Sequence, residues 1–135
     1  RSWVLVHDAV RPCITREELD RLIPAALHRD DGALLAVPVR DTLKRQEAGG
    51  RVRDTASRDG LWHALTPQMF PLKVLHHALE LVIEREAQVT DESQAMETAG
   101  YQPLLVEGGA TNLKVTRRSD LALAEAILRS QGHAA

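Results

Sequence analysis

The sequence predicts an α/β domain built on a mainly parallel sheet. Two observations carry this. Three short runs, "WVLVH" (3–7), "ALLAVPV" (33–39) and "PLLVEG" (103–108), are almost wholly apolar, the pattern of strands covered on both faces. Between and after them lie stretches with apolar residues at helical spacing. Alternation of the two kinds requires crossover connections, and those pair strands in parallel. The chain has 135 residues, enough for one core.

The elements follow in order. After the first strand, Thr15 with Glu18 three residues on forms a capping box. Leu19, Leu22, Ile23, Ala26 and Leu27 then supply one helical face, Pro24 should kink or end the helix early, and Gly32 stops it. In the second strand Pro38 marks an exit or an edge. Residues 40–60 are polar and charged, with strand-like pieces at 42–46 and 51–56 around Gly49–Gly50, which predicts a β-hairpin arm. So few apolar residues cannot hold a hairpin by themselves, so the arm must lie on something, and a second subunit is the expected support.

"LWHALTPQMF" (61–70) is apolar but interrupted by Pro67. A helix over 71–86 starts at Pro71, with Leu72, Leu75, Leu79, Val82 and Ile83 on its inner face. "TDESQAMETAG" is a shorter helix capped by Thr90 or Asp91 and stopped by Gly100. "TNLKVT" (111–116) is extended. A final helix has Ser119 as a candidate cap and Leu121, Ala124 and Leu128 inward. Three central strands are few for such a sheet, and no Gly-rich phosphate loop follows the first of them.

Composition excludes several classes. Net charge is −2 and aromatic residues make up 3%, which argues against a nucleic-acid reader or base-stacking platform. No apolar run has the length of a membrane span, and "RSWVLVHD" lacks the features of a signal peptide. The single cysteine, Cys13, cannot form an intramolecular disulfide and is expected to be a small packed side chain. A soluble, cytoplasmic protein is expected.

In open α/β sheets ligands bind at the carboxyl ends of strands. Asp8 and Arg11 follow the first strand there. Taken singly, each is as well explained as a cap or a surface ion pair. Thr42, Arg58, Thr66, Thr90 and Lys114 also stand at or just beyond apolar runs, and together the set points to a site. Within "TNLKVT", Lys114 must face away from its apolar neighbours, alongside Asn112 and Thr116. A converging Lys and Arg suit a phosphate, as point charge and planar fork. Asp8 suits a sugar hydroxyl or a hydrated Mg²⁺. His76–His77 point about 100° apart on their helix and make no metal pair. His28 and His133 sit near helix ends, where a dipole contact explains them. His7 and His63 belong to no triad that spacing reveals.

"VLVHDAVRP", "PVRDTLKR", "GLWHALTPQMF", "TDESQAME" and "EGGATNLKVTRRSDLALAEAIL" occur in this order. They resemble the 2-C-methyl-D-erythritol 4-phosphate cytidylyltransferase family. The resemblance spans nearly the whole chain but only the C-terminal part of such an enzyme, so residues 1–135 would be one partial nucleotidyltransferase (Rossmann-like) domain. Val10 replaces the usual Ala of "HDAARP", and Leu65 stands where Gln is common.

The resemblance implies joining of the methylerythritol phosphate to the α-phosphorus of CTP, with Mg²⁺ and release of pyrophosphate, in non-mevalonate isoprenoid synthesis. It implies that Asp8 and Arg11 line the methylerythritol pocket with Thr66 and Thr90. Arg58 and Lys114 would bind the substrate phosphate as the catalytic pair. Thr42 and Arg58 would reach across a homodimer interface made by the 40–60 arm. Because the Gly-rich CTP loop is not among these residues, the chain alone is expected to be inactive. Two alternatives remain open: a cytidylyltransferase for another polyol phosphate, such as ribitol 5-phosphate, and a non-catalytic dimerising module.

Overall fold

A computed structural model describes residues 1–132; His133 lies outside them. A four-stranded sheet contains β1 (Trp3–Val6), β2 (Ala33–Pro38), β5 (Trp62–Pro71) and β6 (Leu104–Glu107), in the order β1-β5-β2-β6. The hairpin of β3 (Leu43–Glu47) and β4 (Arg51–Ala56) is a separate two-stranded sheet. Helices α1 (Arg16–Ala26), α2 (Leu72–Glu84), α3 (Glu92–Thr98) and α4 (Arg118–Ser130) complete the described chain. None of these helices is long and apolar enough to cross a membrane.

The predicted α/β class holds, with one correction to the sheet. Strands β1, β2 and β6 share one direction, but only β2 and β6 pair in parallel. Between β1 and β2 lies β5, antiparallel to both, and this strand is the part of 61–70 that Pro67 had obscured. Proline is excluded from regular central strands because it cannot donate to the ladder. Here β5 bulges. Leu34 pairs with Gln68, yet Ala36 pairs with Ala64, so β5 carries extra residues where Pro67 sits. The Thr66–Pro67 peptide is cis. A bulge re-aims side chains, and this one sets Thr66 beside the end of β1.

Two apolar clusters flank the sheet. Leu22, Ala26, Leu35, Leu65 and Met69 pack α1 against one face. Phe70, Leu75, Ala78, Val82, Ala95 and Met96 join α2 and α3 on the other. The predicted capping box of α1 is present, and the helix runs two residues past Pro24. In α2 the buried stripe is Leu75, Ala78 and Val82; Leu72, Leu79 and Ile83 are exposed, because α2 turns its 75–78–82 face to α3. Pro71 is the cap of α2 rather than part of its first turn. Asp91 caps α3. In α4 only Ala124 is buried, Leu121 is exposed, and Ser119 lies inside the helix, which begins one residue before it. "TNLKVT" forms no strand; it is pinned by the Val115 amide donating to the Val10 carbonyl (2.8 Å).

Candidate functional site

The carboxyl end of β1, the bulge of β5, the entry to α3 and the 112–115 segment meet at one edge of the sheet. Between them is a cleft of about 300 Å³ lined by Asp8, Arg11, Thr66, Thr90, Asp91 and Lys114, among others. Five of the residues singled out from the sequence are thus brought together. Thr42 and Arg58 are not: both are exposed on the flanks of the hairpin arm, outside this cleft. Any part they take in the site of one chain needs another surface to carry them there.

The cleft walls are tied by directed hydrogen bonds. The Asp8 amide donates to Thr66 Oγ1 (3.0 Å), and Thr66 Oγ1 lies 2.9 Å from His7 Nδ1. His7 Nε2 lies 2.9 Å from the Arg11 carbonyl, which can only accept. Nε2 therefore donates; in a neutral ring Nδ1 is then the acceptor and the Thr66 hydroxyl the donor. This chain closes the turn over residues 7–11. Arg11 sits inside the turn, its side chain 11% exposed. Its Nε donates to Asp8 Oδ2 (3.2 Å) and its Nη1 to the Asn112 carbonyl (2.9 Å). The guanidinium thus joins β1 to the segment that carries Lys114.

Gln68, fully buried on β5, crosses to α3. Its Nε2 donates to Asp91 Oδ2 (3.1 Å) and its Oε1 accepts from the Ser93 amide (2.9 Å). Asp91 Oδ1 accepts from the Gln94 amide (2.8 Å), so both its oxygens are engaged. Thr90 donates through its amide to Gln94 Oε1 (2.8 Å). Among the described residues, no ion pair includes Lys114. The Lys is exposed at the mouth of a cleft in which Asp8 is ion-paired and Asp91 is a cap, while Glu92 also lies on the lining.

A larger groove of about 640 Å³ adjoins across Ala64 and Asp91, but its charged lining is Asp91 and Glu97 with no cation. It offers no cation to a phosphate, whereas the smaller cleft offers two, Arg11 and Lys114, beside Asp8, Asp91 and Glu92. Sequence reasoning named Asn112 only as a neighbour of Lys114 and gave Gln68 no role. Asn112 is buried, and its Nδ2 donates to the Thr66 carbonyl (2.8 Å) and to Glu18 Oε2 (3.2 Å). A polar residue inside an apolar run was the signal for Gln68. Cys13 is fully buried, its thiol donates to the Ala124 carbonyl (3.6 Å), and burial pushes its pKa up, as fits a packed side chain. His76 pairs with Glu80 on the surface.

A mixed sheet flanked by helices, with a polar cleft holding Arg11 and Lys114 at the strand ends and a projecting hairpin, defines a nucleotidyltransferase-like α/β protein. The 2-C-methyl-D-erythritol 4-phosphate cytidylyltransferase family matches residues 1–130, and the chain belongs to it. It is 55% identical over 130 residues to the enzyme of that name from Tolumonas auensis, covering 96% of this chain and 57% of the relative. The chain therefore spans little more than half the length of the curated relatives it matches. The solved enzyme from Francisella tularensis superposes with a TM-score of 0.85 at 36% identity, over 93% of this chain and 59% of that one. The enzyme from Thermus thermophilus gives 0.83 at 38%, over 94% and 62%.

Proposed function

We propose that the chain forms the methylerythritol phosphate side of a cytidylyltransferase site, as the C-terminal portion of a nucleotidyltransferase domain. The observation that supports this most directly is the convergence of Arg11, Thr66, Thr90, Asp8 and unpaired Lys114 on one cleft. In this reading Lys114 neutralises the substrate phosphate, and Asp8 accepts from a polyol hydroxyl. A phosphate oxygen of the polyol phosphate bonds to the α-phosphorus of CTP, and the bond from that phosphorus to the β-phosphate oxygen breaks. Pyrophosphate leaves. The protein's work is alignment and charge neutralisation rather than covalent chemistry. CTP is placed chiefly by the part of the relatives' length that this chain does not span.

Among the described residues, no cluster of three His, Cys, Asp or Glu side chains is spaced to hold a metal. An all-protein Mg²⁺ cage therefore does not fit. A largely hydrated Mg²⁺ carried by the nucleotide phosphates does, with the Asp8 oxygen not used by Arg11 as the one protein ligand; such an ion supplies charge neutralisation at the transferred phosphoryl group. Thr42 and Arg58 act in the same proposal from the arm of a second subunit, with Arg58 completing the phosphate site in the partner. The exposure of nearly every arm residue supports that arrangement. The setting is cytoplasmic in the same proposal.

The test joins residues 1–135 to the remaining segment of the Tolumonas auensis relative. Release of pyrophosphate is followed with CTP and either methylerythritol phosphate or ribitol 5-phosphate. Turnover with the first and not the second is expected. Preference for ribitol 5-phosphate, or no turnover with either, would sink the proposal. The 135-residue chain alone is expected to give no turnover.

A further inference from the structure

Glu18 is 1% exposed and meets no cation among the ion pairs of the described residues. A capping box asks one oxygen of such a Glu to accept from the cap residue, which an exposed side chain does equally well. Here Oε1 accepts from the Thr15 amide (3.0 Å) and the Thr15 hydroxyl (3.1 Å). The other oxygen does something capping does not require. Oε2 accepts from the Gly109 amide (3.0 Å) and Asn112 Nδ2 (3.2 Å), more than ninety residues downstream.

The consequences reach the cleft by two routes. Asn112 Nδ2 also donates to the Thr66 carbonyl, and the Asn112 carbonyl receives Arg11 Nη1. Asn112 Oδ1 is left as a buried side-chain atom without a partner. Turning the amide round would set that oxygen against a carboxylate and a carbonyl, so Glu18 and Thr66 dictate the orientation and the orphan is its cost. The loop is also fitted to the carboxylate: a Cβ on Gly108 would stand 3.0 Å from Glu18 Oε2 and 3.2 Å from Leu65 Cδ1.

We propose that Glu18, which does not line the cleft, is the positioning residue of this site, fixing where Lys114, Arg11 and Thr66 stand relative to one another. This rests on the proposed function for the identity of the substrate, but not for the geometry. Glu18 supplies four acceptor positions to four donors, which no neutral side chain of that shape can do. In Glu18→Gln the new NH₂ faces two donors whichever way the amide turns.

In the joined protein, Glu18→Gln should raise KM for methylerythritol phosphate by about tenfold to a hundredfold. KM for CTP should stay within about twofold. Thr15→Ala, which breaks the cap and leaves Gly109 and Asn112 held, should lower Tm and leave both KM values alone. Unchanged KM for methylerythritol phosphate in Glu18→Gln overturns the proposal, whatever happens to Tm. Where Glu18→Gln does not accumulate as folded protein, Asn112→Ala must raise the same KM, and failure to do so overturns it equally. Amide hydrogen exchange at Gly109 and Val115 in the joined protein gives a readout independent of activity. Faster exchange in Glu18→Gln than in Thr15→Ala is expected, and equal exchange counts against Glu18. Should the unmutated protein not use methylerythritol phosphate, the functional proposal fails while this exchange result still decides the role of Glu18.

Discussion

The cleft and the hairpin arm are built from similar residues and treated oppositely by the fold. Both are rich in Arg, Asp and Thr. In the cleft and directly behind it, polar groups are tied to one another across distant parts of the chain: Arg11 to Asn112, Asp8 to Thr66, Glu18 to Gly109. In the two strands of the arm they make only local bonds among the described residues, Lys44 Nζ to Thr55 Oγ1 (2.8 Å) and Arg45 Nε to Asp54 Oδ1 (3.3 Å), both exposed. Leu43 and Ala56, at the base, are the only half-buried strand residues of the arm, and Val52 stands 61% exposed at the far end. Where bonds reach across the chain, the geometry is fixed within it. The arm's polar groups and its apolar tip are left for something outside the chain to satisfy.

The largest expected effect breaks the cleft at its unpaired cation. In the joined protein, Lys114→Ala should lower kcat/KM for methylerythritol phosphate by about two orders of magnitude, since truncating one partner of a close charge pair typically costs that much. Circular dichroism and Tm should not move, because Lys114 makes no ion pair among the described residues. Activity within a few-fold of the parent would remove the Lys from the site.

A matched pair of threonines sharpens the contrast. Thr66→Val leaves the Asp8 amide and His7 Nδ1 without their partner, and should destabilise by about 1–3 kcal/mol in urea unfolding. Thr55→Val removes a hydroxyl bound to an exposed Lys, and should stay within about 0.5 kcal/mol. Equal costs would mean that the cleft network holds no more structure than the arm.

Replacing residues 44–55 by a tight turn should change stability little, again within about 0.5 kcal/mol. It should, however, abolish any dimer detected by light scattering. A dimer that persists would move the interface off the arm.

The smallest effect lies at the start of α4. Asp120 accepts from the Thr116 amide (3.0 Å) and the Arg117 amide (2.9 Å), and these bonds, the first foremost, hold its carboxyl below the usual range. A depressed folded value means the contribution is present above the unfolded value, roughly 3.9, and is lost as pH falls through the folded one. The α4 amides should therefore begin to exchange faster only under acid conditions, and Asp120→Asn should remove that step. Asp120 lies partly exposed at the start of a surface helix, so global stability should barely register it.

The capping box at Thr15 and Glu18 was legible because its partners are three residues apart, and the helices were legible from their periodicity. So were Asp8, Arg11, Thr66, Thr90 and Lys114, since strand ends announce themselves where apolar runs stop. What escaped were partners far apart in sequence. The strand β5 was hidden because Pro67 argues against a strand unless a bulge receives it, and a bulge exists only once β1 and β2 are paired with it. Gln68 and Asn112 were hidden because what a buried amide bonds to depends on which element arrives beside it.

Local patterns, then, determined the α/β class, the capped starts of α1 and α3, the hairpin and the residues offered at strand ends, because each rests on contacts within a few residues. Only the tertiary structure decided that β5 lies antiparallel between β1 and β2, that Lys114 and Arg11 share a cleft while Arg58 does not, and that Glu18 spans from a helix cap to a loop far along the chain. Those outcomes follow from burial and hydrogen bonding between segments that meet only when the core closes.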